Sequence, residues 1–256
     1  MTAAVRVLQR DLLVYRHIWR GSLFSSFVTP LLYLSAMGLG LMRLMTPASA
    51  AAFDGFDYVH FLGPGLMAAA TMQSSVFEST FPIMGKIMWR RNYEAMLATP
   101  MAVRDILGGE LLYIGFRTMT IATVFLAVLT LFRIPTSPLA VLAIPASVLV
   151  GLAFSSAVIA FAATQRNDSG FAAMFRFVIN PLFLFSGTFF PIAQLPAPAQ
   201  WIAAATPLYH GASLIRGVVL QSSDLRNWPI HLAYLVIWSA FAIVVAHTLL
   251  KRRLVR

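Results

Sequence analysis

Cysteine is absent from the 256-residue chain. That excludes disulfides, thiolate metal centres and a catalytic thiol, and leaves the redox compartment open. Charge is scarce as well: Asp, Glu, Lys and Arg make up 11% of the residues, where a soluble domain carries about 25%. So few charges cannot form a polar shell around a globule of this size. Lysine occurs only at Lys86 and Lys251. Neither closes a G-x-x-x-x-G-K-[ST] loop, so the chain carries no P-loop for ATP phosphates. H-E-x-x-H and G-x-S-x-G are missing, and the histidines at 17, 60, 210, 231 and 247 show no ligand spacing. No catalytic residue, metal ligand or cofactor is assigned to this chain.

What remains is apolar. Residues of the AVILMFWYC set make up 59% of the chain, and the mean hydropathy is +0.78. The composition is that of an integral membrane protein. The net charge of +10 then marks cytoplasmic loops rather than a nucleic-acid surface.

A spanning helix needs about 20 mostly apolar residues. The uncharged or nearly uncharged runs predict spans at 22–44, 59–85, 104–132, 139–164, 169–190 and 228–250. Between the last two, Pro191, Pro196, Pro198 and Pro207 crowd an uncharged stretch. Proline at that density does not suit a lipid-facing span, because freed backbone groups find no water there. Residues 191–217 are therefore read as a re-entrant helical hairpin. The expected fold is all-α, with six spans.

Six spans put both termini on one side. Thirteen basic residues then share that face (Arg6, Arg10, Arg16, Arg20, Lys86, Arg90, Arg91, Arg104, Arg166, Lys251, Arg252, Arg253 and Arg256), against four on the other. The bias places both termini in the cytoplasm. No apolar stretch follows a short basic start, so no cleavable signal peptide is expected. At 100° per residue, Val5, Leu8, Leu12, Tyr15 and Trp19 fall within an arc of about 80°, apart from the basic residues. Residues 1–20 are thus expected to form an amphipathic helix lying on an anionic leaflet.

The loop after the second span carries Arg90 and Arg91, then Tyr93, Met96 and Leu97 at i, i+3, i+4, then Pro100. It reads as a short cytoplasmic helix over 86–100. Its apolar edge either rests at the headgroups or enters a groove on a partner.

Several motifs in this order resemble one family. They include Pro30-Leu31-Leu32-Tyr33-Leu34, Phe77-Glu78-Ser79-Thr80, and Tyr93-Glu94-Ala95-Met96-Leu97-Ala98-Thr99-Pro100. Phe185-Ser186-Gly187-Thr188-Phe189-Phe190-Pro191 and Thr206-Pro207-Leu208-Tyr209-His210 follow. Together they resemble the permease subunit of type-2 ABC exporters, most closely the nodulation-factor, or lipo-chitooligosaccharide, branch. The resemblance implies a bacterial inner-membrane permease that works with a second permease copy or paralogue. It also implies a separate pair of P-loop ATPase subunits holding ATP and Mg. The cargo would be an amphiphile such as a lipid-linked oligosaccharide, a glycolipid or a hydrophobic drug, moved from the cytoplasm or inner leaflet. Coupling to the ATPase would fall to Arg90, Arg91, Tyr93, Glu94, Met96 and Leu97.

Charges within spans are functional suspects. Glu78, Glu110, Arg117 and Arg176 lie at comparable depths. Counting from the membrane faces pairs Glu78 with Arg117 and Glu110 with Arg176. Such pairs fix helix register, line the cargo path, or relay protons; in the last case the chain would be an ATP-independent carrier using Glu78 and Glu110. Phe189, Phe190 and Pro191, with Pro196 and Pro207 in the hairpin, form either an aromatic belt or an outer gate.

Overall fold

The computed structural model describes residues 3–41, 53 and 55–255. Every regular element among them is helical. In chain order they are α1 (Ala3–Leu41), α2 (Tyr58–Ser79), α3 (Phe81–Met84), α4 (Asn92–Leu97), α5 (Val103–Leu131) and α6 (Ala143–Thr164). Then come α7 (Ser169–Met174), α8 (Asn180–Phe185), α9 (Ala197–Ala204), α10 (Pro207–Leu220) and α11 (Trp228–Leu254). Two π-helical turns, Gly85–Trp89 and Phe175–Ile179, bridge α3 towards α4 and α7 to α8. Residues 42–44, the expected end of the first span, lie outside the described residues.

Three stretches are long and apolar enough to cross a bilayer: Val103–Leu131, Pro138–Thr164 and Ser223–Leu254. At 1.5 Å per residue, the 29 residues of α5 extend about 43 Å. α6 is the hub, packing against α2, α5, α10 and α11. It suits that place because its exposed faces are few and its buried residues are mostly alanine, serine, valine and glycine. Small residues let helices approach closely where lipid supplies no hydrophobic drive.

The prolines of the hairpin region sit where helices begin. Proline occupies the first turn of both α9 and α10. Its missing N–H is harmless at that position. Thr206 caps α10, its hydroxyl accepting from the Tyr209 amide at 3.3 Å. All of α10 except Tyr209 is buried.

α1 departs from the expected surface helix. It is unbroken through Gly21 and Pro30 for 39 residues. One glycine costs a helix only about 1 kcal/mol, too little to divide it. The buried stripe only partly overlaps the aromatic-aliphatic arc: Val7, Asp11 and Tyr15 are buried and Leu8 and Leu12 pack against the core, whereas Trp19 is 41% exposed. α1 packs mainly on α5, and the contact surface selects the stripe. A Cβ at Gly109 would lie 2.4 Å from the Val7 Cβ and 2.7 Å from the Ala4 carbonyl oxygen.

Gly109→Ala is therefore expected to destabilise the purified protein by about 1–3 kcal/mol, with partial recovery on adding Val7→Ala. Gly115→Ala should be neutral or slightly stabilising, since its Cβ would meet only Val148 Cγ1 and Leu152 Cδ2 at 3.8 and 4.0 Å. Thermal unfolding in detergent measures both, and equal effects would refute the close packing of α1 on α5.

Candidate functional site: buried ion pairs and a polar cavity

Three constellations bind the bundle together, one at each end and one between. The first gathers α1, the π turn after α3, and α5. Glu110 is 2% exposed, and Lys86 Nζ donates to its Oε2 at 2.6 Å and to Asp11 Oδ2 at 3.0 Å. Arg10 Nη2 donates to Asp11 Oδ1 at 2.7 Å and reaches Glu110 Oε1 at 3.3 Å. Two acids and two bases thus close a neutral knot. A single carboxylate buried here would leave an uncompensated charge. Lys86 stands in the π turn Gly85–Trp89; such turns displace side chains from the ordinary helical register and recur at functional positions.

Glu110 therefore does not pair with Arg176, as depth alone suggested. Arg176 is exposed in the second π turn, its guanidinium carbon 5.9 Å from the Phe177 ring centroid. Depth fixes one coordinate of a side chain; rotation about the helix axis fixes the other, and that rotation turns Arg176 outward.

The helix α4 lies over the knot. Arg91 precedes it in the left-handed conformation, φ 47° and ψ 31°, which separates α4 from the π turn before it. Tyr93, Met96 and Leu97 share a face, as their spacing requires, but that face points inward. Tyr93 is 1% exposed, its phenol facing Glu110, Arg10 and Asp11. Arg10 Nη1 approaches Met96 Sδ at 3.7 Å, and Met96 and Leu97 pack against the core. The apolar edge, expected to rest at the headgroups or enter a partner's groove, is thus used by the bundle itself, because its spacing fixes a shared face but not the direction of that face. The outward side of this loop carries Trp89, 63% exposed, with Arg90, Arg91 and Glu94.

In the second constellation, Arg117 Nε donates to Glu78 Oε1 at 3.1 Å. The pairing expected from depth is the one present. Another guanidinium nitrogen donates to the Ser22 hydroxyl, and the Tyr15 ring lies 4.7 Å from the guanidinium carbon. The pair edges a cavity of about 610 Å³ lined by α1, α2, α5 and α8.

The third lies at the opposite end. Arg216 of α10 is 7% exposed. Its Nη2 donates to the Gly187 carbonyl at 2.9 Å, its Nη1 lies 3.5 Å from Asp224 Oδ2, and its guanidinium carbon sits 3.8 Å over the Phe61 ring centre. Gly187 takes φ +77°, a conformation that glycine enters without steric cost. Nearby, His210 and His231 join α10 to α11 with Nδ1 atoms 2.9 Å apart. Phe189 packs edge-on against Phe183, centroids 5.0 Å apart, and Phe190 and Pro191 are half-buried. Pro196 is exposed and Pro207 buried.

Sequence reasoning missed Asp11 and Arg216 as buried ion-pair members, and missed the histidine pair. The available signal was an acid inside an otherwise basic amphipathic segment, and an arginine inside an uncharged run.

A helical bundle with buried ion pairs and a cavity lined by polar and apolar side chains fits a transport protein, and comparison with known proteins decides the family. The sequence pattern described as ABC-2 type transporter matches residues 2–220. The chain belongs to the ABC-2 type transporter family. This ABC-2 chain is 31% identical to Nodulation protein J of Rhizobium leguminosarum bv. viciae, over 98% of this chain and 94% of that protein. It is 28% identical to Nodulation protein J of Rhizobium meliloti (strain 1021), over 98% and 93%. With its namesake from Azorhizobium caulinodans the identity is 27%, over 98% and 97%. The resemblance read from the sequence motifs is borne out.

Within this ABC-2 bundle the knot is costly to break, because Glu110 is 2% exposed. Glu110→Gln is expected to lower stability by about 3 kcal/mol, near the lower bound for a broken buried pair because Asp11 still accepts from Lys86. Arg176→Gln should change it by less than about 0.5 kcal/mol. Thermal unfolding of the purified variants checks both, and equal losses would remove Glu110 from a buried network.

Proposed function

We propose that this chain is the permease subunit of an ATP-driven exporter, carrying an amphipathic glycolipid or lipid-linked oligosaccharide out of the bacterial cytoplasm or inner leaflet. The observation that carries this reading is the ABC-2 match over residues 2–220 on a chain whose two lysines form no P-loop. ATP and Mg would belong to a separate ATPase pair, and two permease copies or paralogues would stand over it. The Nodulation protein J relatives support a glycolipid cargo over a hydrophobic drug. A carrier using Glu78 and Glu110 as proton sites loses its grounds, because family membership supplies another energy source.

The proposed arrangement is six spans in the inner membrane with both termini in the cytoplasm. α2, α5, α6, α7 with α8, and α11 would be five of the spans, and the later half of α1 the sixth. α9 and α10 would form the re-entrant hairpin on the outer side, with Phe189, Phe190 and Pro191 at its mouth. Thirteen basic residues against four support this orientation.

Coupling would run through α4. Trp89, Arg90, Arg91 and Glu94 face outward and would engage the ATPase. Tyr93 and Met96 face inward and would pass the motion to Arg10, Lys86 and Glu110. Transport then needs two packings of comparable free energy, biased by nucleotide on the partner.

Arg90→Glu with Arg91→Glu is expected to abolish co-purification with the co-expressed ATPase while leaving the permease inserted. Tyr93→Ala should instead lower permease stability by about 3–5 kcal/mol, the cost of emptying a buried aromatic site. Retained ATPase binding in the double reversal would overturn the docking surface. Cysteines placed singly at Thr136 and Ala197 should react with an impermeant thiol reagent on sealed cells, and one at Arg166 should not; the reverse pattern would overturn the orientation.

A further inference from the structure

The cavity beside Glu78 has a composition that packing does not require. Along α2, Leu66, Ala70, Gln73, Ser74, Phe77 and Glu78 line it, a stripe at helical spacing. Gln73 is exposed and Ser74 half-exposed, and neither side chain hydrogen-bonds within the described residues. Polar groups on a face surrounded by lipid or a partner helix are expensive unless something satisfies them. Ser22 and Ser26 stand across from them on α1.

Charge narrows the class of ligand. Glu78 and Arg117 neutralise one another at 3.1 Å, and Arg117 is further held by Ser22 and Tyr15. An anionic headgroup would have to take the guanidinium from its carboxylate. A cationic one would have to take the carboxylate from its guanidinium. A neutral group rich in hydroxyls and amides needs neither exchange. It can donate to Glu78 Oε2, which accepts from no donor among the described residues, and bond in both senses with Gln73 and Ser74. Phe77 and Tyr33, 61% and 42% exposed, offer flat apolar faces beside these groups. Alternating polar groups and aromatic faces suit the two sides of a sugar ring.

We propose that this cavity binds the uncharged glycan head of the cargo, with Gln73, Ser74 and Glu78 as its recognition residues and Phe77 and Tyr33 as its stacking faces. The inference rests on the exporter reading in that it assumes an amphipathic cargo. At about 610 Å³ the cavity has room for a small oligosaccharide segment, within the ordinary range of ligand sites.

The test uses the full chain in lipid nanodiscs with its ATPase, and a photoreactive alkyl disaccharide as probe. Labelling should map to the peptides around 70–78 and 117–125, and unlabelled alkyl disaccharide should compete while an alkyl phosphocholine of equal chain length does not. Gln73→Ala and Ser74→Ala should each weaken labelling about fivefold, the loss of roughly one hydrogen bond. They should leave thermal stability unchanged, since neither group bonds within the fold. Labelling elsewhere, equal competition by the phosphocholine, or no effect of either substitution would overturn the proposal. ATPase assembly and hydrolysis are read in the same sample. If they persist while labelling ignores the variants, the glycan site fails and the exporter reading stands. If no ATPase assembles, the exporter reading fails, and labelling of the chain alone still decides the site.

Discussion

Lys86 and the two carboxylates around it set the condition on which the end of the bundle formed by α1, α4 and the start of α5 depends. In lipid, apolar side chains gain little by leaving one hydrocarbon neighbour for another, so close small-residue contacts and satisfied polar groups must hold helices together. Lys86 reaches Glu110 at 2.6 Å and Asp11 at 3.0 Å, joining segments far apart in the chain. Gly109, one residue before Glu110, lets α1 come near enough for the contact. Charge pairing and close approach thus act together: a side chain at Gly109 would push α1 away from Glu110, and loss of the ions would leave the α1–α5 contact to packing such as Tyr15 on Phe116.

The same physics recurs at the opposite end with different chemistry. Arg216 holds the Gly187 carbonyl, the Phe61 ring and Asp224, so α2, the turn after α8 and the turn leading into α11 meet at one guanidinium of α10. Between the two ends the small buried residues of α6 let its neighbours approach closely. The Glu78–Arg117 pair also lies between the ends, beside a cavity, and is less buried than Glu110, so it can exchange partners at smaller cost.

Much of the fold was legible because the bilayer imposes long apolar runs, and α5, α6 and α11 coincide closely with them. The proline-dense stretch, read as a re-entrant hairpin, contains helices with proline in the first turn, where its missing N–H is harmless. Glu78 and Arg117 could be paired from depth because their helices happen to turn towards each other. Glu110 could not, because its partners depend on a π turn at Gly85–Trp89 and on an acid in a basic segment. The spacing of Tyr93, Met96 and Leu97 announced a shared face but not its direction, as an apolar edge fits a bundle as well as a partner's groove. Gln73 gave no signal, being uncharged and solitary until the fold placed it beside Glu78.

The central claim is that the Lys86 knot makes α1, α4 and the start of α5 one body, which in the proposed exporter would move together as the ATPase closes. Spin labels at Gln9 and Ala95, both exposed, report it directly by pulsed dipolar distance measurement in the assembled transporter. The expected distance distribution is narrow and the same with and without nucleotide, broadening in Glu110→Gln, while a label pair at Ala95 and Thr136 shifts with nucleotide. A nucleotide-dependent change between Gln9 and Ala95 in the unaltered protein would contradict it.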